Sequence, residues 1–171
     1  MNQVEILEKL QAEFSAYQDL SNSFEEARFF KQPHAEKWSV AQNLMHLIDV
    51  SKRIGGSLKD PSVLAQFGTA ERPSRDFDTI KNTYQTELKA RQALGMPYRH
   101  LDTEGVSKTE LLNSFNEINQ KLMDRTAQLS ETDLDTLQMP HPLLGIMTLR
   151  EMLQFTAGHV RHHFDIIEKM A

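Results

Sequence analysis

Two histidines four residues apart, His159 and His163, lie in the run Gly-His-Val-Arg-His-His near the C-terminal end of the chain. Side chains at i and i+4 of a helix point the same way, so two neutral imidazoles at that spacing can grip one divalent ion between them. Steps of three and four residues lead from Leu149 through Met152, Thr156, His159, His163, Ile166 and Met170, so the rings continue an apolar stripe. Something inside the fold must satisfy them. A metal ion would, and so would the ordinary alternative, a carbonyl or carboxylate accepting from a packed imidazole. His162 adjoins His163 and stands three residues from His159, which makes it the rival second ligand.

The elements that must position these rings read as helices, and no stretch reads as a strand. A first helix over about 2–30 places Leu7, Leu10, Phe14, Tyr17 and Phe24 on one face and ends before Pro33. Ser39 with Gln42 three residues later forms a capping box that opens a second helix, whose apolar face is Val40, Leu44, Leu47 and Ile54; Gly55-Gly56 weakens its far end. Trp38, just before the cap, reads as a hydrophobic staple. From about 59 to 105 the chain carries Pro61, Gly68, Pro73, Gly95 and Pro97, with one modest helix around 78–94, so this is a long crossover. Ser107 and Glu110 cap a third core helix bearing Leu111, Phe115, Ile118, Leu122 and Leu129. A loop from about 133 to 147 holds His141-Pro142 and Gly145, where His141 reads as a turn residue, and Thr148 with Glu151 caps the last helix. His34 and His100 fall in loops, and the eight methionines read as adaptable core filler. One domain over 1–171, an all-α four-helix bundle with a short extra helix in the crossover between core helices two and three, is the expected architecture.

A third histidine, His46, belongs to a narrow polar stripe on the second helix, Gln42, His46, Asp49 and Arg53. The stripe faces solvent or lines a polar pocket inside the bundle, and periodicity alone does not choose. At about 1.5 Å of rise per residue, His46 lies roughly 10 Å from the start of its helix and His163 roughly 10 Å from the end of the last. Antiparallel helices would bring the rings to one level. A parallel pair would separate them by about 6–12 Å along the axis, too far for one ion with metal–nitrogen bonds of about 2.0–2.1 Å.

Trp38-Ser39-Val40, His46-Leu47, His141-Pro142 with Leu144-Gly145, Thr148-Leu149-Arg150-Glu151, and His159 with His162-His163 occur in this order along nearly the whole chain. In that pattern the sequence resembles the DinB-like (YfiT-type) metal-binding helical bundles. The resemblance implies an up-down-down-up bundle in which a histidine of the second helix and two of the last form a facial triad, here His46, His159 and His163. It implies a metal-dependent hydrolase or a thiol S-transferase acting on a small molecule, with a thiol cofactor as a possible partner. The alternative is a non-catalytic binding or stress-related interaction module whose metal is structural or adventitious.

Composition narrows the choices. The 171 residues contain no cysteine, so disulfides and thiolate ligands are absent and a metal must rest on histidine and carboxylate. A formal net charge of -5 and the lack of a basic patch argue against a nucleic-acid partner. No segment has the length of a bilayer span or the look of a signal peptide, so a cytoplasmic protein without a membrane partner is expected. Three imidazoles suit zinc, with nickel, manganese or iron also compatible, and leave a coordination position open for water or a thiol. Asp49 is the first candidate to orient a ligand ring, followed by Gln42, Asp165 and Glu151. No serine, lysine or carboxylate declares itself as a nucleophile or general base. Exposed faces on the first and third core helices would suit a two-fold homodimer.

Overall fold

The computed structural model describes residues 1–94 and 99–171; Gly95 and Pro97, two of the breakers read in the crossover, lie outside them. In chain order the elements are α1 (Gln3–Ser23), α2 (Glu26–Phe30), α3 (Val40–Leu58), a 3-10 helix (Pro61–Phe67), α4 (Phe77–Ala93), α5 (Lys108–Thr126), α6 (Glu131–Thr136), β1 (Gln138–His141), β2 (Gly145–Thr148) and α7 (Leu149–Glu168). The helix starts follow from their caps: the boxes Ser39/Gln42, Ser107/Glu110 and Thr148/Glu151 are all formed, each hydroxyl accepting from the backbone N–H three residues on.

Four long helices, α1, α3, α5 and α7, make the bundle, and end-to-end contacts give its directions. Arg150 at the start of α7 donates to the Met1 carbonyl, and Arg28, just past α1, donates to the Ala171 carbonyl, so α1 and α7 run parallel. Arg125 near the end of α5 donates to the Gly55 carbonyl near the end of α3, so those two are parallel as well. Lys108 at the start of α5 donates to the carbonyls of Asn22 and Phe24 at the end of α1, which sets the two pairs opposite to each other. The topology is therefore up-down-down-up. Around the bundle the order is α1, α5, α3, α7, and the α3–α7 seam is the sparsest of the four.

The core confirms the apolar faces with small changes of phase. Leu10, Phe14, Tyr17 and Phe24 are buried, but Ile6 rather than Leu7 completes the face of α1. Phe14 and Tyr17 close on Phe115 of α5 with ring centroids 5.8 and 5.5 Å apart. On α7 the stripe holds through His163 and then passes to Ile167, because a spacing of 3.5 drifts against a straight helix of 3.6 residues per turn.

Two expectations need correction. The first helix does not run unbroken to Phe30. Phe24 is extended (φ -72°, ψ 137°), Ser23 Oγ donates back to the Leu20 carbonyl, and Lys108 takes the carbonyls of Asn22 and Phe24, so the chain turns and restarts as α2. The loop before α7 is not structureless either. It holds α6 and an antiparallel hairpin in which Gln138 pairs with Thr148 and His141 with Gly145, so the fold is a helical bundle with one two-stranded ribbon. Four residues per strand are too few for alternation to register. The crossover helix expected around 78–94 is α4, Phe77–Ala93. Gly55 and Gly56 remain within α3.

Candidate metal centre

Capping fixes the rotational phase of both helices that carry the histidines. On α3 the Ser39/Gln42 box is buried, and the polar stripe above it runs from the interior at Gln42, through half-buried His46, to solvent at Arg53. On α7 the start is anchored more heavily. Glu151 accepts from the guanidinium groups of Arg72 and Arg75, from the Arg75 backbone N–H at 2.6 Å and from the Thr148 N–H at 3.2 Å. Burial alone would raise the Glu151 carboxyl, yet these donors hold it down at about 2.

With α3 and α7 antiparallel, the three imidazoles meet at one level. Nε2 of His159 lies 3.1 Å from Nε2 of His163 and 3.4 Å from Nε2 of His46, and one ligand nitrogen from each of the three falls within 4.8 Å of the others. His159 and His163 are 6% and 5% exposed. Burial first, and the neighbouring imidazoles second, push both far below the ordinary histidine range, while burial pulls His46 down to about 4 against the opposing charge of Asp49. The rings are thus neutral at neutral pH.

Asn43 settles which nitrogen of His163 is bare. Its Nδ2 donates to the Ser39 carbonyl at 2.8 Å, leaving Oδ1 to accept from His163 Nδ1 at 2.7 Å. The proton therefore resides on Nδ1, and the lone pair of Nε2 points into the cluster. Two nitrogens on one ion at bonds of about 2.0–2.1 Å stand about 3.0 Å apart at right angles and about 3.4 Å at the tetrahedral angle. The two short separations fall within that span, so the donor set fits a single cation.

Aromatic rings wall the cluster. Trp38 stacks on His163 at 6.3 Å and 19° and packs against His46 at 5.0 Å, while its indole N–H donates to the Arg99 carbonyl at 2.7 Å. It is not a staple, because the position it would have to meet one turn into the helix is the polar Asn43. Phe155 stacks on His159 at 5.2 Å, and Tyr84 from α4 meets His159 and His162 edge-on at 6.0 and 6.2 Å.

His162 stays half-buried beside Tyr84 and His163 and does not join the convergence. His141 closes the hairpin turn, its Nδ1 accepting from the backbone N–H groups of Leu143 and Leu144 at 3.1 Å each. Asp49 pairs through Oδ2 with Arg53 at 2.9 Å, and its charge favours the protonated form of His46. Gln42 is spent on its cap and on the Leu101 carbonyl, Glu151 on its arginines, and Asp165 acts on His162 from the exposed flank. The orienting residue is Asn43, one turn before His46 on the same face, and a polar amide flanked by Ala41, Leu44 and Leu47 was the signal for it.

No helix of the described residues is long and apolar enough to cross a membrane. The chain is similar to an uncharacterised protein of Bacillus subtilis (strain 168), YuaE, 21% identical over 140 residues that span 82% of this chain and 81% of the relative. Its fold matches the crystal structure of TT2238, a four-helix bundle protein, with a TM-score of 0.63 at 16% identity and 98% coverage of both chains. The sequence profile of the DinB superfamily matches residues 9–167, so this chain belongs to the DinB superfamily.

Proposed function

We propose that His46, His159 and His163 hold one divalent cation, zinc being the best match to three neutral imidazoles, and that the protein uses it on a small molecule as a hydrolase or a thiol S-transferase. The observation that carries this reading is the convergence of three Nε2 atoms with the His163 tautomer preset by Asn43. When bound, such an ion supplies Lewis acidity, which lowers the pKa of a coordinated water or thiol toward neutrality. The protein's own residues do the rest. Asn43 keeps the His163 lone pair turned inward, Trp38 holds the His46 and His163 rings against each other, and Phe155 with Tyr84 keeps bulk water from His159.

The test is metal content and turnover together. Protein prepared without an affinity tag is expected to carry one equivalent of metal per chain, to lose it in His46→Ala, and to turn over some member of a panel of esters, amides and electrophiles offered with several thiols. Full stoichiometry in His46→Ala would refute the triad.

One observation favours a second reading, in which the ion is structural. His159 and His163 are 6% and 5% exposed and are walled by Trp38, Phe155 and Tyr84, so an ion between them would be largely sealed from solvent. A metal-loaded protein inert across the whole panel would support that reading.

A further inference from the structure

The hairpin turn occupies one of the two ring nitrogens of His141. Nδ1 accepts from the backbone N–H groups of Leu143 and Leu144, so it is bare and the proton resides on Nε2. Burial pulls the imidazole down to about 4, which leaves it neutral at neutral pH. The far side of the ring is therefore a fixed, uncharged N–H donor. It has no hydrogen-bond partner among the described residues, and His141 is half-buried, so Nε2 is open to solvent, whereas Nδ1 of His159 is sealed and unpaired. Two ring contacts join this donor to the triad: His141 lies 4.4 Å from Phe155, and Phe155 stacks on His159 at 5.2 Å. Tyr84 lines the stretch between, 6.2 Å from His141 and 6.0 Å from His159.

We propose that His141 determines specificity at the metal centre, its Nε2–H donating to a carbonyl oxygen of the small molecule at a point remote from the atom that meets the cation. This rests on the metal reading above and narrows its substrate class to small molecules with an amide, ester or ketone carbonyl. With carbon–carbon bonds of about 1.5 Å, a chain of about three to five atoms spans two ring contacts, so carbonyl and reacting group stand about that far apart in the molecule. The donor chooses its acceptor by charge and by hydration. A carboxylate gives up more water than a carbonyl does to reach an uncharged N–H beside Phe155 and Tyr84. An alkyl group laid there strips water from the N–H and returns nothing. His141 therefore has two roles on one ring, a turn acceptor at Nδ1 and a substrate donor at Nε2.

His141→Asn separates the two roles. Asparagine Oδ1 takes the place of Nδ1 and still accepts from residues 143 and 144, as in an Asx turn, while nothing stands where Nε2 was. The probes are propanethiol, mercaptopropionate and mercaptoamides of increasing chain length, titrated into cobalt-loaded protein and followed by the visible spectrum of the ion. Thiol acidity is the same for either protein, so the change in relative affinity between wild type and variant reads the hydrogen bond alone. The preference for the best mercaptoamide over propanethiol is expected to fall about three- to tenfold in His141→Asn, with the melting temperature held. In zinc-loaded wild type, the same amide is expected to shift the His141 Nε2–H resonance, and propanethiol to leave it in place. An unchanged preference in the variant, or an unmoved resonance in the wild type, would overturn the proposal while leaving the metal reading intact. A larger fall for mercaptopropionate would overturn the choice of a carbonyl. A chain that takes up no cobalt would overturn the metal reading and this one with it.

Discussion

With Nδ2 committed to the Ser39 carbonyl, Asn43 offers His163 only an acceptor, so this one amide decides whether the imidazole presents a lone pair or a proton to a cation. Asn43→Ala is expected to weaken zinc binding about 10–100-fold in competition with a chromophoric chelator, and Asn43→Asp to restore most of it, because a carboxylate oxygen accepts the same proton. The histidine cluster was readable from the sequence. His159 and His163 interrupt an apolar stripe at the spacing of one helical turn, and the depth of His46 matches theirs in antiparallel helices. The partner of His163 was not, since spacing shows which side chains share a face but not which of them hydrogen-bonds a ring: Asn43 does, while Asp49 pairs with Arg53.

Helix α4 reaches the site by lying on α7, and two contacts let it do so. Phe77 rests against Gly158, where a Cβ would come within 3.3 Å of its ring, and Tyr84 packs on Phe155 at 4.9 Å. Gly158→Val is expected to lift α4, seen as faster amide exchange across 77–93 with the four core helices still protected, and to uncover the face of His159 that Tyr84 covers. The start of α7 depends on charge instead. The Glu151 carboxyl falls from its ordinary 4.5 to about 2 on folding, so its contribution is complete above pH 4.5 and is lost as pH drops toward 2. Glu151→Gln is accordingly expected to cost about 3 kcal/mol at neutral pH, the low end for a broken buried pair because Arg72 and Arg75 are partly exposed, and to flatten the melting temperature between pH 4.5 and 2. Capping boxes announced three of these helix starts in the sequence. The hairpin and the break at Phe24 did not announce themselves: the hairpin's strands are four residues each, too short for alternation to register, and the break is made by a partner distant in the chain, Lys108, which reaches back to α1.

At the scale of the molecule, the bundle and its long crossover followed from four amphipathic segments and the breakers between them, whereas a shared level for the three rings asked only that α3 and α7 be antiparallel, and the full up-down-down-up order came from the family resemblance. An ion that binds the native state alone adds about 2.7 kcal/mol at a concentration 100-fold above its Kd, and at about 2–4 °C per kcal/mol chelation should lower the melting temperature by roughly 5–10 °C, reversibly on adding zinc back. An unchanged melting curve would speak against a bound ion. The four rods form a closed ring whose thinnest joint, between α3 and α7, is the one the imidazoles straddle. A cation gripped there would act as a rivet as well as a reagent. Its withdrawal would unlatch that joint before any other, turning metal scarcity into a hinged opening along one edge while the α3–α5 and α1–α7 pairs stay zipped.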